Sequence, residues 1–203
     1  MTTAAFDPEK TALRDAMRQK RRGFLPSARI VESALVCQHI LRFIDGKSKK
    51  TPCNIAYYVA LNHEADLGIL DDALRVRKMG RAVPRTDQAR LLFHLLDDTP
   101  LKSLLRSDIG IAEPASFLPS VALADCDVVF VPGIAFDTSG GRLGAGQGFY
   151  DRAIAKCRRQ NAETLFFGVA LSYQIVDKIP MDAHDEPMDG LVTAVAIEKV
   201  MRR

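Results

Sequence analysis

The sequence predicts an α/β fold: a three-layer α/β/α sandwich, one domain over residues 1–203, on a mostly parallel sheet with an antiparallel part. Three observations predict it. Short runs rich in β-branched and aromatic residues, at 54–61, 128–131 and 164–171, alternate with helical patterns. Those runs are apolar nearly throughout, as in strands covered on both faces. The chain has 203 residues, 47% hydrophobic and 26% charged, which suits one soluble domain with a full core.

The elements follow in order. Asp7-Pro8 is a helix start, with Asp as N-cap and Pro at the first helical position; the helix runs to about Arg22, before Gly23. Lys10, Arg14, Arg18 and Arg21 share one face, Leu13 and Met17 another. Such a basic face is either solvated or reaches a polyphosphate. Ser27 is placed to cap a second helix to about Ile44, stopped by Asp45-Gly46. The run Asn54 to Leu61 reads as a central strand. Glu64 follows it, either as a ligand-contacting group at a strand end or as the start of a helix over about 66–78. The run 81–84 and the run 90–96 read as a hairpin. A short helix from Thr99-Pro100, an irregular segment at 107–119 and a weakly helical 118–124 lead into the strand at Val128. The run 164–171 is a further strand, 173–178 a helical turn and 191–197 the last strand.

The stretch V-V-F-V-P-G-I-A-F-D-T-S-G-G-R-L-G-A-G-Q-G-F-Y-D, residues 128–151, organises the rest. Pro132-Gly133 ends a strand, glycines stand at 140, 141, 144, 146 and 148, and a helix begins near Phe149. Strand, glycine loop and helix start have the layout of a phosphate cradle, since glycine lets backbone N–H groups approach an anion and the helix end adds free donors; the other reading is a mobile surface loop feeding a helix. Arg142 offers a planar charge for phosphate oxygens, and Asp151 an acid for a magnesium ion. No Gly-Lys-Ser/Thr closes a Walker loop, and the G-x-G-x-G spacing is not a dinucleotide fingerprint. The acid-rich segment 180–189, with Asp182, His184, Asp185, Glu186 and Asp189, is either solvated or holds a cation.

Composition excludes several classes. The net charge of +3 is too small to argue for nucleic acid, although residues 1–50 alone carry a net +6. Cys37, Cys53, Cys126 and Cys157 form no C-x-x-C pair, so neither a zinc knuckle nor a dithiol motif is supported. No apolar run approaches a membrane span. A cytoplasmic protein acting without nucleic acid or membrane, as a monomer, is expected. G-x-S-x-G is absent, His63-Glu64 lacks the second histidine of H-E-x-x-H, and the histidines show no metal-ligand spacing. What remains suits phosphoryl transfer by positioning and charge neutralisation, with a nucleotide or sugar phosphate as ligand.

Six segments occur in order: K-T-A-L-R at 10–14, Y-V-A-L-N-H-E at 58–64, G-I-A-E-P at 110–114, V-P-G-I-A-F-D at 131–137, R-L-G-A-G-Q-G-F-Y-D-R at 142–152 and H-D at 184–185. Together they resemble the 5-formyltetrahydrofolate cyclo-ligase (5,10-methenyltetrahydrofolate synthetase) family over nearly the whole chain. The resemblance implies ATP-dependent conversion of 5-formyltetrahydrofolate to 5,10-methenyltetrahydrofolate, with ADP and phosphate released. It implies that Lys10, Arg14, Arg142 and the loop of Leu143, Gly144, Ala145, Gly146, Gln147, Gly148, Phe149 and Tyr150 bind ATP, with Arg142 and Lys10 catalytic. It implies that Glu64, Tyr58 and Tyr150 contact the folate, and that Asp151 and Asp185 hold Mg²⁺. The chain departs from the family pattern at Leu67, Ile109, Gln147 and Phe149. Two other readings stay open: a folate- or nucleotide-binding relative without cyclisation, and a sugar-phosphate enzyme on a similar sandwich.

Overall fold

The computed structural model describes residues 7–46, 54–88, 90–106 and 110–200. The chain begins with α1, Pro8–Arg22, capped as expected: the Asp7 carboxylate accepts from the N–H groups of Glu9 at 2.8 Å and Lys10 at 3.2 Å, with Pro8 in the first turn. Helix α2, Pro26–Gly46, starts two residues earlier than a Ser27 cap would place it. Pro26 takes the first helical position, so Ser27 lies inside the first turn instead of capping it.

The sheet has eight strands in the order β12-β11-β10-β7-β1-β2-β3-β6: β1 is Asn54–Ala56, β2 Gly80–Asp87, β3 Arg90–Leu95, β6 Ser120–Val121, β7 Val128–Val131, β10 Leu165–Val169, β11 Gly190–Val192 and β12 Ile197–Lys199. β2, β1, β7, β10 and β11 run parallel. The expected hairpin is β2–β3, which is antiparallel, and β6 extends that edge. At the other edge β12 is also antiparallel. The anticipated final strand 191–197 is therefore two strands: the Thr193 hydroxyl accepts from the N–H groups of Val195 and Ala196 and reverses the chain.

All four residues of β7 are buried, and their side chains alternate between two cores. Val128 and Phe130 face a cluster with Val36 and Ile40 of α2 and with Leu70 and Leu74 of α3, Gly68–Val76. Val129 and Val131 face the other side, with Ile154 and Cys157 of α4, Phe149–Gln160. These are the three layers. Each such side chain taken from water contributes about 1.5–3 kcal/mol. Two-residue pairs lie outside the main sheet: β4, Leu105–Arg106, with β5, Ala112–Glu113, and β8, Ala135–Phe136, with β9, Arg142–Leu143. Leu123–Asp125, expected as helix with the residues before it, is a single 3₁₀ turn after β6. Among the described residues no helix is long and apolar enough to cross a membrane.

The central strand is shorter than expected. β1 ends at Ala56, although the Tyr57 N–H still bonds the Ala82 carbonyl of β2 at 3.0 Å; the Tyr57 hydroxyl donates to Asp71 at 2.6 Å and the Tyr58 hydroxyl to the Ala65 carbonyl at 2.9 Å. The turn that follows lies beyond the carboxyl end of β1. The segments after β7 and β10 emerge at the same end, and these three strands are neighbours in the sheet. Ligand sites in parallel sheets lie there.

Candidate active site

Three loops and one helix build the site. After β7 the chain forms the β8–β9 hairpin, whose turn is organised by Asp137: its carboxylate accepts from the N–H groups of Ser139 at 2.8 Å, Gly141 at 2.9 Å and Ile179 at 2.8 Å. Gly140 sits in that turn at φ +91, with no room for a Cβ, which would lie 2.7 Å from the Met188 carbonyl. Gly140 and Gly141 therefore serve the hairpin, and the cradle reduces to residues 144–148. Within it Gly146 and Gly148 have positive φ, and Gly148 is the N-cap of α4. No backbone N–H of Gly144 to Gly148 has a hydrogen-bond partner among the described residues. A row of free donors at a helix start is an anion-binding surface.

The basic face of α1 turns to this loop. Arg14 Nε donates to the Gly144 carbonyl at 3.0 Å, and its guanidinium lies beside Gly146. Lys10 is buried and sits between two acids of the 180–189 loop: its Nζ bonds Asp182 at 2.6 Å and also bonds Asp185. Burial lowers the Lys10 pKa, but the hydrogen bonds to Asp182 and Asp185 outweigh it, and the net direction is up. Arg18, on the same face, pairs among the described residues only with Asp15, in solvent.

Arg142 is buried in β9. It bonds Asp151 in the first turn of α4 at 2.8 Å, stacks 5.6 Å from the Tyr150 ring centre, and keeps its Nε without a partner among the described residues. Leu143 is buried with Met17, Ala135 and Ile179, so only its main chain borders the cradle. Ala145, Gly146 and Gln147 are exposed, while Phe149 and Tyr150 are half-buried.

Glu64 does not start a helix. It lies in the turn after β1, four residues before α3, and its Oε2 accepts from the Leu61 N–H at 2.9 Å. Burial pushes its pKa up to about 7, against the opposing pull of the Leu61 N–H and the Arg29 charge. The Tyr150 hydroxyl is buried and has no partner among the described residues; burial first, then the Glu64 charge, raises its pKa and keeps it a neutral phenol. Tyr58 is fully inside, within electrostatic reach of Glu64 and Tyr150, with its hydroxyl spent on Ala65. A buried phenol with no partner among the described residues, beside a desolvated acid, marks a candidate binding surface.

For a metal, the compact group of donors is Asp182, His184 and Asp185, whose ligand atoms lie within 4.8 Å of one another. Asp151 stands outside that group and meets the loop through the Glu186 N–H at 3.4 Å. Hard carboxylate oxygens beside a phosphate cradle suit Mg²⁺. Ile109 lies outside the described residues. Sequence reasoning missed Asp182 as the second partner of Lys10, and it missed Arg158, which bonds Glu186 and the Pro187 carbonyl and ties the acid loop to α4. The clustering of acids at 182–189 was the only signal for the first; nothing local marks the second.

Comparison with known proteins shows the family. The 5-formyltetrahydrofolate cyclo-ligase family matches residues 7–194. A 5-formyltetrahydrofolate cyclo-ligase of Haemophilus influenzae is 33% identical over 158 residues, covering 75% of this chain and 80% of the relative. One from Mycolicibacterium smegmatis is 29% identical, covering 91% and 93%. The solved structure of Aquifex aeolicus 5,10-methenyltetrahydrofolate synthetase superposes with a TM-score of 0.78 at 28% identity, covering 96% of this chain and 94% of that one. The family match thus spans most of the chain, and the fold is shared with that solved structure over nearly its whole length. The chain belongs to the 5-formyltetrahydrofolate cyclo-ligase family, a family of ligases.

Proposed function

We propose that the chain converts 5-formyltetrahydrofolate and ATP to 5,10-methenyltetrahydrofolate, ADP and phosphate. The observation that carries the reading is the set of free amides at Gly144 to Gly148, flanked by Lys10, Arg14 and Arg142. In this reading the ATP triphosphate lies along those amides, with Arg14 and Lys10 on one side and Arg142 beneath. Glu64 and the unpaired Tyr150 hydroxyl hold the pterin, with Tyr58 packed behind them.

The folate formyl oxygen attacks the γ-phosphorus, ADP leaves, and N5 carries a phosphorylated imine. N10 then attacks the formyl carbon, loses its proton, and phosphate departs. A formamide is a poor electrophile with a poor leaving group; phosphorylation corrects both. No protein nucleophile is required, which suits a site without one. The protein holds two substrates in line and screens charge on the phosphoryl group with Arg142 and Lys10. Asp185 and Asp151 would hold Mg²⁺, with Asp182 beside them, and the ion would neutralise phosphate oxygens when bound. In the free protein Lys10 and Arg142 satisfy those carboxylates, and they are the cations already in place when phosphate arrives.

The test is a spectrophotometric assay. With MgATP and 5-formyltetrahydrofolate together, near-ultraviolet absorbance of the methenyl product grows; with either omitted it does not. Growth without ATP, or none with both, rejects the reading.

A further inference from the structure

The two acids proposed for Mg²⁺, Asp151 and Asp185, sit on different elements. Asp151 is in the first turn of α4, and Asp185 is in the segment between β10 and β11. Magnesium demands a near-ideal octahedral shell, so acids on separate elements must be held in register.

Arg158 is placed to hold them. It follows Asp151 by seven positions on α4, two helical turns on, so both side chains leave one face of the helix. Both reach residue 186, the neighbour of Asp185. Asp151 Oδ1 accepts from the Glu186 N–H at 3.4 Å, and one terminal nitrogen of Arg158 bonds the Glu186 carboxylate. The other terminal nitrogen donates to the Pro187 carbonyl at 2.7 Å and lies 3.4 Å from Asp189. The guanidinium rests over the Phe166 ring of β10, 5.4 Å from its centre, and the side chain is only 18% exposed. The dipole of α4 accounts for a cation in its last turn, and Arg159 answers it from solvent. It does not account for a guanidinium that crosses to the acid loop and spends both arms there.

Among the described residues, three side chains from outside the loop hydrogen-bond residues 182–186: Lys10, Asp151 and Arg158. Ligands call two of them away, since phosphate draws Lys10 and the metal draws Asp151. Arg158 is the tie that remains.

We propose that Arg158 is a positioning residue for the metal: bonded to Glu186 and Pro187, it keeps Asp185 in register with Asp151 when MgATP binds. The proposal rests on the ATP-ligase reading above. Charge alone gives the opposite sign. A cation near a metal site repels the metal, so deleting Arg158 would tighten metal binding if its charge were what mattered. Deleting a group that orients metal ligands from behind weakens it.

The experiment is calorimetry without folate. MgATP, and ATP with EDTA, are titrated into the wild type, Arg158→Ala and Arg158→Lys, and methenyl formation is followed in parallel. The wild type is expected to bind MgATP more tightly than metal-free ATP. Arg158→Ala weakens MgATP binding about tenfold and binds metal-free ATP as the wild type does. Arg158→Lys keeps the charge without the two-armed fork and recovers part of the loss. MgATP bound by Arg158→Ala as tightly as by the wild type, or more tightly, overturns the proposal. So does an equal loss for both forms of ATP, the mark of general damage to the fold, or a wild type indifferent to the metal. If Arg158→Ala does not fold, the same comparison in Arg158→Lys decides. Methenyl product formed where the metal-specific loss is missing leaves the ligase reading standing without the clamp. A metal-specific loss in a protein that makes no methenyl product keeps the clamp and sinks the ligase chemistry.

Discussion

Two sets of buried ion pairs in this molecule look alike and are built for different ends. The first is Asp71 with Arg81, under the sheet. Both side chains are 2% exposed, and every arm is engaged. Asp71 accepts from Arg81, from the Tyr57 hydroxyl and from the Leu101 N–H, while Arg81 also reaches the carbonyls of Asp97 and Thr99. The second is the site set, Lys10 with Asp182 and Asp185, and Arg142 with Asp151. There Asp182 is 47% exposed and the Arg142 Nε has no partner among the described residues. A fully bonded pair compensates its own desolvation and can only hold the fold. An under-bonded pair at a loop edge keeps capacity for something else, and its acids and cations can exchange each other for a metal and a phosphate.

That contrast breaks first at Asp71. Asp71→Ala leaves Arg81 buried without a counter-charge and is expected to cost about 3–5 kcal/mol in urea unfolding. A loss below about 1 kcal/mol would show that the network adds nothing. Arg142→Ala comes next: turnover falls about a hundred- to a thousandfold, as for loss of a transition-state donor. Near wild-type rates in that variant would remove Arg142 from the chemistry. Lys10→Ala should slow turnover by about tenfold or more, with a smaller change in unfolding free energy than Asp71→Ala, since Asp182 is already in water. The reverse order of stability effects would erase the distinction between the two sets.

The smallest effect is at Glu64. Its folded pKa of about 7 lies above the ordinary 4.5, so the folded chain binds this proton more tightly than the unfolded one. Its contribution to stability therefore declines as pH rises from about 4.5 to about 7 and levels off above. Glu64→Gln is expected to flatten that part of the pH–stability curve. At saturating MgATP it should also remove an inflection near pH 7 from kcat/KM for the folate. An inflection that persists in Glu64→Gln assigns the titration elsewhere.

Much of the site was legible because its chemistry is local. Positive-φ glycines at a helix start, an arginine before them and an acid after them are neighbours in the chain, and so are the spacings that put Lys10 and Arg14 on one face of α1. Other parts were not. Tyr58 lies within the run expected as a central strand, and only the folded chain shows its hydroxyl bonded to the Ala65 carbonyl. Glu64 reads equally well as a helix start, and only the turn from Leu61 decides it. Gly140 and Gly141 belong by sequence to the cradle and by structure to the Asp137 turn.

By itself the sequence determined the α/β alternation, the capped basic helix and the glycine segment, since each rests on periodicity, caps and backbone freedom within a few residues. Tertiary structure alone decided that Lys10 meets Asp182 and Asp185, that Arg29 anchors the Glu64 turn, and that β1, β7 and β10 deliver their loops to one end of the sheet. The physical reason is range. Propensity and spacing act along the chain over a turn or two, whereas charge pairing and desolvation act through space, between groups that only the packed core brings together.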